Sequence, residues 1–187
     1  TNVLTAAFVQ AGVGNDSVSV FDNAGLGATD PYTTVFGDAG TDTLFTGISN
    51  INATNTNVRL QGGAGNDTLT VDGGDRIQLD GGADNDTINA VSGNSSALGG
   101  TGNDTFNYDV GSTGNHTFTG GAGDDTYNIF SSSGTITITE AANAGTDRIF
   151  TSLATMTLAD FANVEVLTGA NAAGQTLSGN GLANTIT

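Results

Sequence analysis

Four stretches of this chain align without a gap: GGAGNDTLT from Gly62, GGADNDTIN from Gly81, GGTGNDTFN from Gly99 and GGAGDDTYN from Gly120. All follow G-G-x-G-x-D-x-U-x, with U a large apolar residue, and they begin 19, 18 and 21 residues apart. The one internal departure is Asp84, which stands where a glycine is expected. Weaker copies flank them: AGVGNDSVS from Ala11 and GDAGTDTLF from Gly37 before, ANAGTDRIF from Ala142 and GNGLANTIT from Gly179 after, the last with Asn184 in place of aspartate. A unit this short cannot bury a core alone. It must stack on its neighbours, so the period restricts the chain to a repeat architecture.

The intervals between copies carry strand signals. Leu69-Thr70-Val71 is followed by a Gly-Gly turn and Ile77-Gln78-Leu79, and Tyr127-Asn128-Ile129 by Ser131 to Gly134 and Ile136-Thr137-Ile138. Each triplet alternates, sending two side chains one way and one the other. The unit is therefore turn, strand, turn, strand, and it closes one coil. Coils stacked through parallel strands lie about 4.8 Å apart, which predicts an all-β solenoid of about nine coils, on the order of 40 Å long. Its core is a set of ladders of inward apolar residues. Outward Thr70, Asn89, Asn107 and Asn128 are placed to form a polar ladder.

Stacking also places the sixth residue of every turn on one edge: Asp67, Asp86, Asp104 and Asp125, with Asp42 before and Asp147 after. Unit charges about 4.8 Å apart repel by about 0.9 kcal/mol per pair even in bulk water. The chain has no means of neutralising them itself. Its net charge is -16, and its only cationic side chains are Arg59, Arg76 and Arg148. The same balance argues against nucleic acid, whose binding rests on Lys and Arg contacts to phosphate. No run of apolar residues is long enough for a spanning helix, so no membrane insertion is expected. Cysteine is absent, which excludes disulfides and thiolate metal sites. Glycines at positions one, two and four are expected to take positive φ and turn carbonyls inward. Carboxylates with main-chain carbonyls make a hard oxygen site that suits calcium better than magnesium, each ion bridging two stacked turns.

These nonapeptides resemble the RTX, or haemolysin-type, family of calcium-binding repeat proteins. The segments ITEAANAGTDRIFTSL, TLADFANVEVLTG and LSGNGLANTIT are similar to a module that flanks such repeats. The resemblance implies a right-handed parallel β-roll, exported from a bacterium by type I secretion, unfolded in low-calcium cytoplasm and folded outside. It implies several calcium ions held by the carboxylates of Asp42, Asp67, Asp86, Asp104 and Asp125. Carbonyls of positions one, three and five complete the shells: Gly62, Ala64 and Asn66; Gly81, Ala83 and Asn85; Gly99, Thr101 and Asn103; Gly120, Ala122 and Asp124. Gly37, Ala39, Asp16 and Asp147 are further ligand candidates in the weaker copies. The opposite edge lacks the motif, as in VSGNSSAL and FSSSGTITI, so one edge is expected to bind. Asn184 loses a charge and weakens any site there.

Residues 1–61 read as degenerate N-terminal coils, 62–138 as the calcium-binding core and 139–187 as C-terminal coils. Asp80 to Asp86 contains D-x-D, but no glycine and glutamate follow in the register of an EF-hand. His116 reads as a strand residue beside Phe118, Asp124-Asp125 as two positions of one turn, and Asp160 and Glu165 as solvated or local turn residues. No catalytic constellation is present, so the chain is not expected to be an enzyme. The function implied is a calcium-dependent structural module of a secreted surface, matrix or adhesin protein. The alternative is the accessory roll of a secreted protease, lipase or epimerase. Val3, Leu4, Phe8 and Val9 at one end and the unfinished triplet at Asn184-Thr185-Ile186 at the other imply further coils or head-to-tail stacking of copies.

Overall fold

A computed structural model of the chain describes residues 8–22, 33–48, 57–74, 76–170 and 174–187. Val3 and Leu4 lie outside the described residues. The remainder is built of strands in pairs, one pair per coil. The coils are β1 (Phe8–Val13) with β2 (Ser17–Asp22), β3 (Thr33–Ala39) with β4 (Thr43–Ile48), and β5 (Asn57–Ala64) with β6 (Thr68–Asp72). Next come β7 (Arg76–Ala83) with β8 (Thr87–Ser92), β9 (Ser95–Thr101) with β10 (Thr105–Tyr108), and β11 (His116–Ala122) with β12 (Thr126–Ile129). The last are β13 (Ile136–Thr139) with β14 (Arg148–Thr151), β15 (Thr155–Thr157) with β16 (Val166–Gly169), and β17 (Thr176–Ser178) with β18 (Thr185–Ile186).

Odd strands β1 to β13 form one sheet and the even strands another, while β15 and β17 pair apart. All the pairings are parallel and join each strand to its equivalent one coil away. This is the all-β parallel solenoid that the repeat predicts. The register follows the nonapeptide. Leu44, Leu69, Ile88, Phe106, Tyr127, Ile149 and Leu167 align from coil to coil along the even sheet. They face Val35, Leu60, Leu79, Ala97, Phe118 and Ile138 of the odd sheet, and all are buried. Burying each large side chain stabilises the stack by about 1.5–3 kcal/mol. Phe106 lies 5.2 Å from Phe118 and 5.0 Å from Tyr127, so the core widens from aliphatic to aromatic in the middle coils.

His116 belongs to this core beside Phe118, as the sequence implies. Its Nδ1 lies 2.6 Å from Ser95 Oγ and its Nε2 lies 3.2 Å from the Thr113 carbonyl oxygen. A carbonyl can only accept, so Nε2 carries the proton and Nδ1 accepts from the serine. Burial pushes its pKa down, which keeps the ring neutral. On the outer face, Asn89 Nδ2 donates to Thr70 Oγ1 at 3.0 Å, Asn107 to Asn89 Oδ1 at 2.8 Å and Asn128 to Asn107 Oδ1 at 2.7 Å. The expected polar ladder therefore forms.

Candidate metal-binding edge

The residue just before each even strand lies on one edge. In order these are Asp16, Asp42, Asp67, Asp86, Asp104, Asp125, Asp147, Glu165 and Asn184. Asp42, Asp67, Asp86, Asp104, Asp125 and Asp147 are at most 2% exposed, which is unusual for aspartate without a partner. One oxygen of each is accounted for. Asp42 Oδ1 accepts from the backbone N–H of Asp16 at 2.8 Å, Asp67 Oδ1 from Asp42 at 2.7 Å, and Asp86 Oδ1 from Asp67 at 2.8 Å. Asp104, Asp125 and Asp147 continue the chain at 2.8, 2.8 and 2.9 Å. Each backbone carbonyl of the row accepts in turn from the first residue of the next even strand, as Asp67 does from Thr87 at 2.8 Å. The second carboxylate oxygen is different. Oδ2 of Asp16, Asp42, Asp67, Asp86, Asp104 and Asp125 is buried with no hydrogen-bond partner in the structure.

The orphaned oxygens of Asp42, Asp67, Asp86, Asp104 and Asp125 converge on the position-one glycines. A Cβ on Gly62 would collide with Asp67 Oδ2 and stand 2.6 Å from the Gly81 carbonyl oxygen. Gly37, Gly81 and Gly99 repeat the arrangement, each with its own coil's Asp42, Asp86 or Asp104 and the next coil's Gly62, Gly99 or Gly120 carbonyl. Each cradle thus gathers a carboxylate from one coil and a carbonyl from the next. Positions two and four do take positive φ, at 117° for Gly63 and 118° for Gly65, and Asp84 adopts 74°. The position-one glycines do not, which corrects the sequence expectation. They are required for space, because any side chain there would fill the place where two oxygens meet.

The other predicted residues fall in two groups. Ala39, Ala64, Ala83, Thr101 and Ala122 end their odd strands and align in register. The carbonyls of Ala39, Ala64, Ala83 and Ala122 accept from Gly14, Gly40, Gly65 and Gly102 at 2.8, 2.8, 3.1 and 2.8 Å. Asn66, Asn85, Asn103 and Asp124 are exposed and form a second ladder of opposite sense. Asn66 Oδ1 accepts from the N–H of Asn85 at 2.9 Å, Asn85 from Asn103 at 2.6 Å, Asn103 from Asp124 at 2.9 Å and Asp124 from Thr146 at 2.7 Å. The side chain at position five therefore ties coils together, a role its composition suggests but the motif does not state. The opposite edge carries a comparable ladder in which Asn94 accepts from Asn115 and Asn115 from Thr135, both at 2.9 Å.

Burial raises the pKa of Asp86 and Asp125 to about 7, with neighbouring row carboxylates adding to the shift and backbone N–H donors opposing it. Asp67 and Asp104 are raised for the same first reason. Among the described residues no cation pairs with the row; the one ion pair joins Arg59 to Asp80 at 3.8 Å. A file of buried carboxylates with converging free oxygens is a favourable place for a positive charge and a poor place for anything else. The donors are all hard oxygen, so the residues present fit calcium.

The ends of the row depart from the pattern. Asp16 has Ala11 at position one, so a methyl group replaces the open glycine. Glu165, read from the sequence as a solvated or local turn residue, is half-buried in the turn before β16. It takes the sixth position of its coil, and its Oε2 accepts from the N–H of Asp147 at 2.9 Å. Asp160 is exposed. Asn184 turns its amide inward, with Nδ2 3.3 Å and 3.4 Å from the carbonyls of Val164 and Glu165. Sequence reasoning missed Glu140, which is buried between Asp125 and Asp147 and accepts from the Tyr127 hydroxyl. The signal was a glutamate among the apolar and threonine residues that end β13.

A stacked parallel solenoid whose one edge is a file of buried carboxylates and glycine carbonyls defines a cation-binding β-roll. The RTX calcium-binding nonapeptide repeat matches the chain four times, over residues 34–50, 46–77, 80–112 and 110–128, and the chain belongs to that family. No curated protein matches it.

Proposed function

We propose that the chain is a calcium-dependent structural module of a secreted bacterial surface, matrix or adhesin protein, which folds when calcium binds outside the cell. It performs no catalysis itself. The observation that carries this reading is the set of buried, unpartnered Oδ2 atoms of Asp42, Asp67, Asp86, Asp104 and Asp125, each beside a glycine that leaves room for an ion. Asp42, Asp67, Asp86 and Asp104 supply the carboxylates, and the carbonyls of Gly62, Gly81, Gly99 and Gly120 supply the neighbouring coil's oxygens. Position-three and position-five carbonyls complete the shells. Each ion then joins two coils, so binding energy becomes folding energy. In low-calcium cytoplasm the net charge of -16 holds the chain open, which suits export before folding.

The test is a calorimetric calcium titration near neutral pH. At least about four ions should bind, with affinities between micromolar and millimolar as for extracellular oxygen-ligand sites. Absence of binding at millimolar calcium would contradict the reading.

A further inference from the structure

The four cradles at Gly37, Gly62, Gly81 and Gly99 each pair a row carboxylate with the next coil's glycine carbonyl. The fifth, at Gly120, does not. Strands β11 and β13 run in register to Thr119 and Thr139, so the residue opposite Gly120 one coil on is Glu140. The chain then takes a longer turn, residues 140–147 against 123–125 in the preceding coil. This excursion turns the Glu140 side chain to where a carbonyl stands elsewhere. A Cβ on Gly120 would meet Asp125 Oδ2, Glu140 Oε1 and, at 2.5 Å, the Tyr127 hydroxyl.

We propose that Asp125, Glu140 and Asp147 form a further divalent-cation site that closes the C-terminal end of the row and binds calcium more tightly than the inter-turn sites. One oxygen from each of the three carboxylates lies within 4.8 Å of the others. All three residues are at least nine-tenths buried. Oδ2 of Asp125 and Oε2 of Glu140 have no hydrogen-bond partner. The Tyr127 hydroxyl satisfies one oxygen of Glu140 and holds the carboxylate in place. The site offers three carboxylates where each inter-turn cradle offers one, and oxygen-ligand affinity for calcium rises with ligand charge. The proposal rests on reading the row as cation-binding.

Glu140→Gln tests it. Glutamine keeps the shape and the acceptor for Tyr127 but removes the charge. In equilibrium dialysis of the whole chain at about pH 7.5, the variant should bind one ion fewer, or hold its tightest ion at least about tenfold more weakly. Equal stoichiometry and equal tightest affinity would overturn the proposal, and would point to a structural Glu–Tyr bond alone. Should the variant fail to fold, terbium supplies a second measurement. The chain has no tryptophan, so tyrosine must sensitise terbium emission. The first equivalent added to the wild type should emit on tyrosine excitation, and Tyr127→Phe should lose that emission. A first equivalent that is silent in the wild type, or unchanged in Tyr127→Phe, also overturns the site. A wild-type chain that binds neither ion refutes the broader reading as well; normal wild-type binding with Glu140→Gln unchanged refutes this site alone.

Discussion

The backbone N–H of Asp67 donates to Oδ1 of Asp86, one coil further on, at 2.8 Å. That bond fixes the Asp86 carboxylate so that its other oxygen faces Gly81, beside the Gly99 carbonyl. One oxygen of the side chain therefore builds the stack, and the other faces the place proposed for an ion. The two roles separate under substitution.

Asp86→Asn keeps an oxygen for the Asp67 N–H and removes the charge. It should stabilise the calcium-free fold and lower the number of bound ions by one. Asp86→Ala removes both oxygens and leaves the Asp67 N–H buried without a partner, at a cost of about 1–3 kcal/mol. Calorimetry paired with thermal melts of the two variants checks this. Wild-type ion stoichiometry in Asp86→Asn would contradict the assignment.

Gly99 needs space and Gly111 needs only its backbone angle. A Cβ on Gly99 meets Asp104 Oδ2 and the Gly120 carbonyl, whereas Gly111, at φ 92°, has nothing within 4 Å. Gly99→Ala should therefore abolish one ion and weaken the holo fold by several kcal/mol. Gly111→Ala should cost about 1 kcal/mol and leave calcium binding unchanged. Calcium titration of both variants distinguishes the two requirements.

The polar ladder offers a control without ions. Asn107 donates to Asn89 and accepts from Asn128. Asn107→Ala should destabilise the folded state by about 1–2 kcal/mol with no change in stoichiometry. A denaturant titration in saturating calcium measures it.

The pH dependence without calcium should be inverted relative to most proteins. Burial first, and neighbouring carboxylates second, hold Asp86 and Asp125 at about 7, where an unfolded aspartate titrates near 3.8. Between about pH 4 and 7 the folded chain thus binds more protons than the unfolded one, so stability falls as pH rises. His116 acts oppositely below its ordinary pKa of 6.5, but it is a single group. In calcium-free buffer β structure should be more populated near pH 4.5, where these carboxylates are protonated, than near pH 7.5. Calcium affinity should rise across the same window, because the ion competes with those protons. Calcium-free β signal in circular dichroism that grows as pH rises from 4.5 to 7.5 would refute this account.

Much of this architecture is legible in the sequence because the nonapeptide encodes it locally. The apolar eighth position gives the ladder from Leu44 to Leu167, and the sixth gives the row from Asp42 to Asp147. Glu165 was hidden because its turn, DFANVE, has none of the glycines that mark the others. Glu140 was hidden because it belongs to no repeat position. It reaches the row only through the longer turn after β13, which spacing alone does not place. The space-making role of the position-one glycines was likewise invisible, since the sequence cannot separate a need for room from a need for positive φ.

The dependence of folding on calcium is decided by far-ultraviolet circular dichroism of the chain near pH 7.5, first in excess chelator and then through millimolar calcium. The chelated chain should show little β signal, because the buried row has no counter-charge of its own. A cooperative β-rich spectrum should appear on adding calcium, and magnesium should not replace it. A full β spectrum in chelator, unchanged by calcium, would contradict the account.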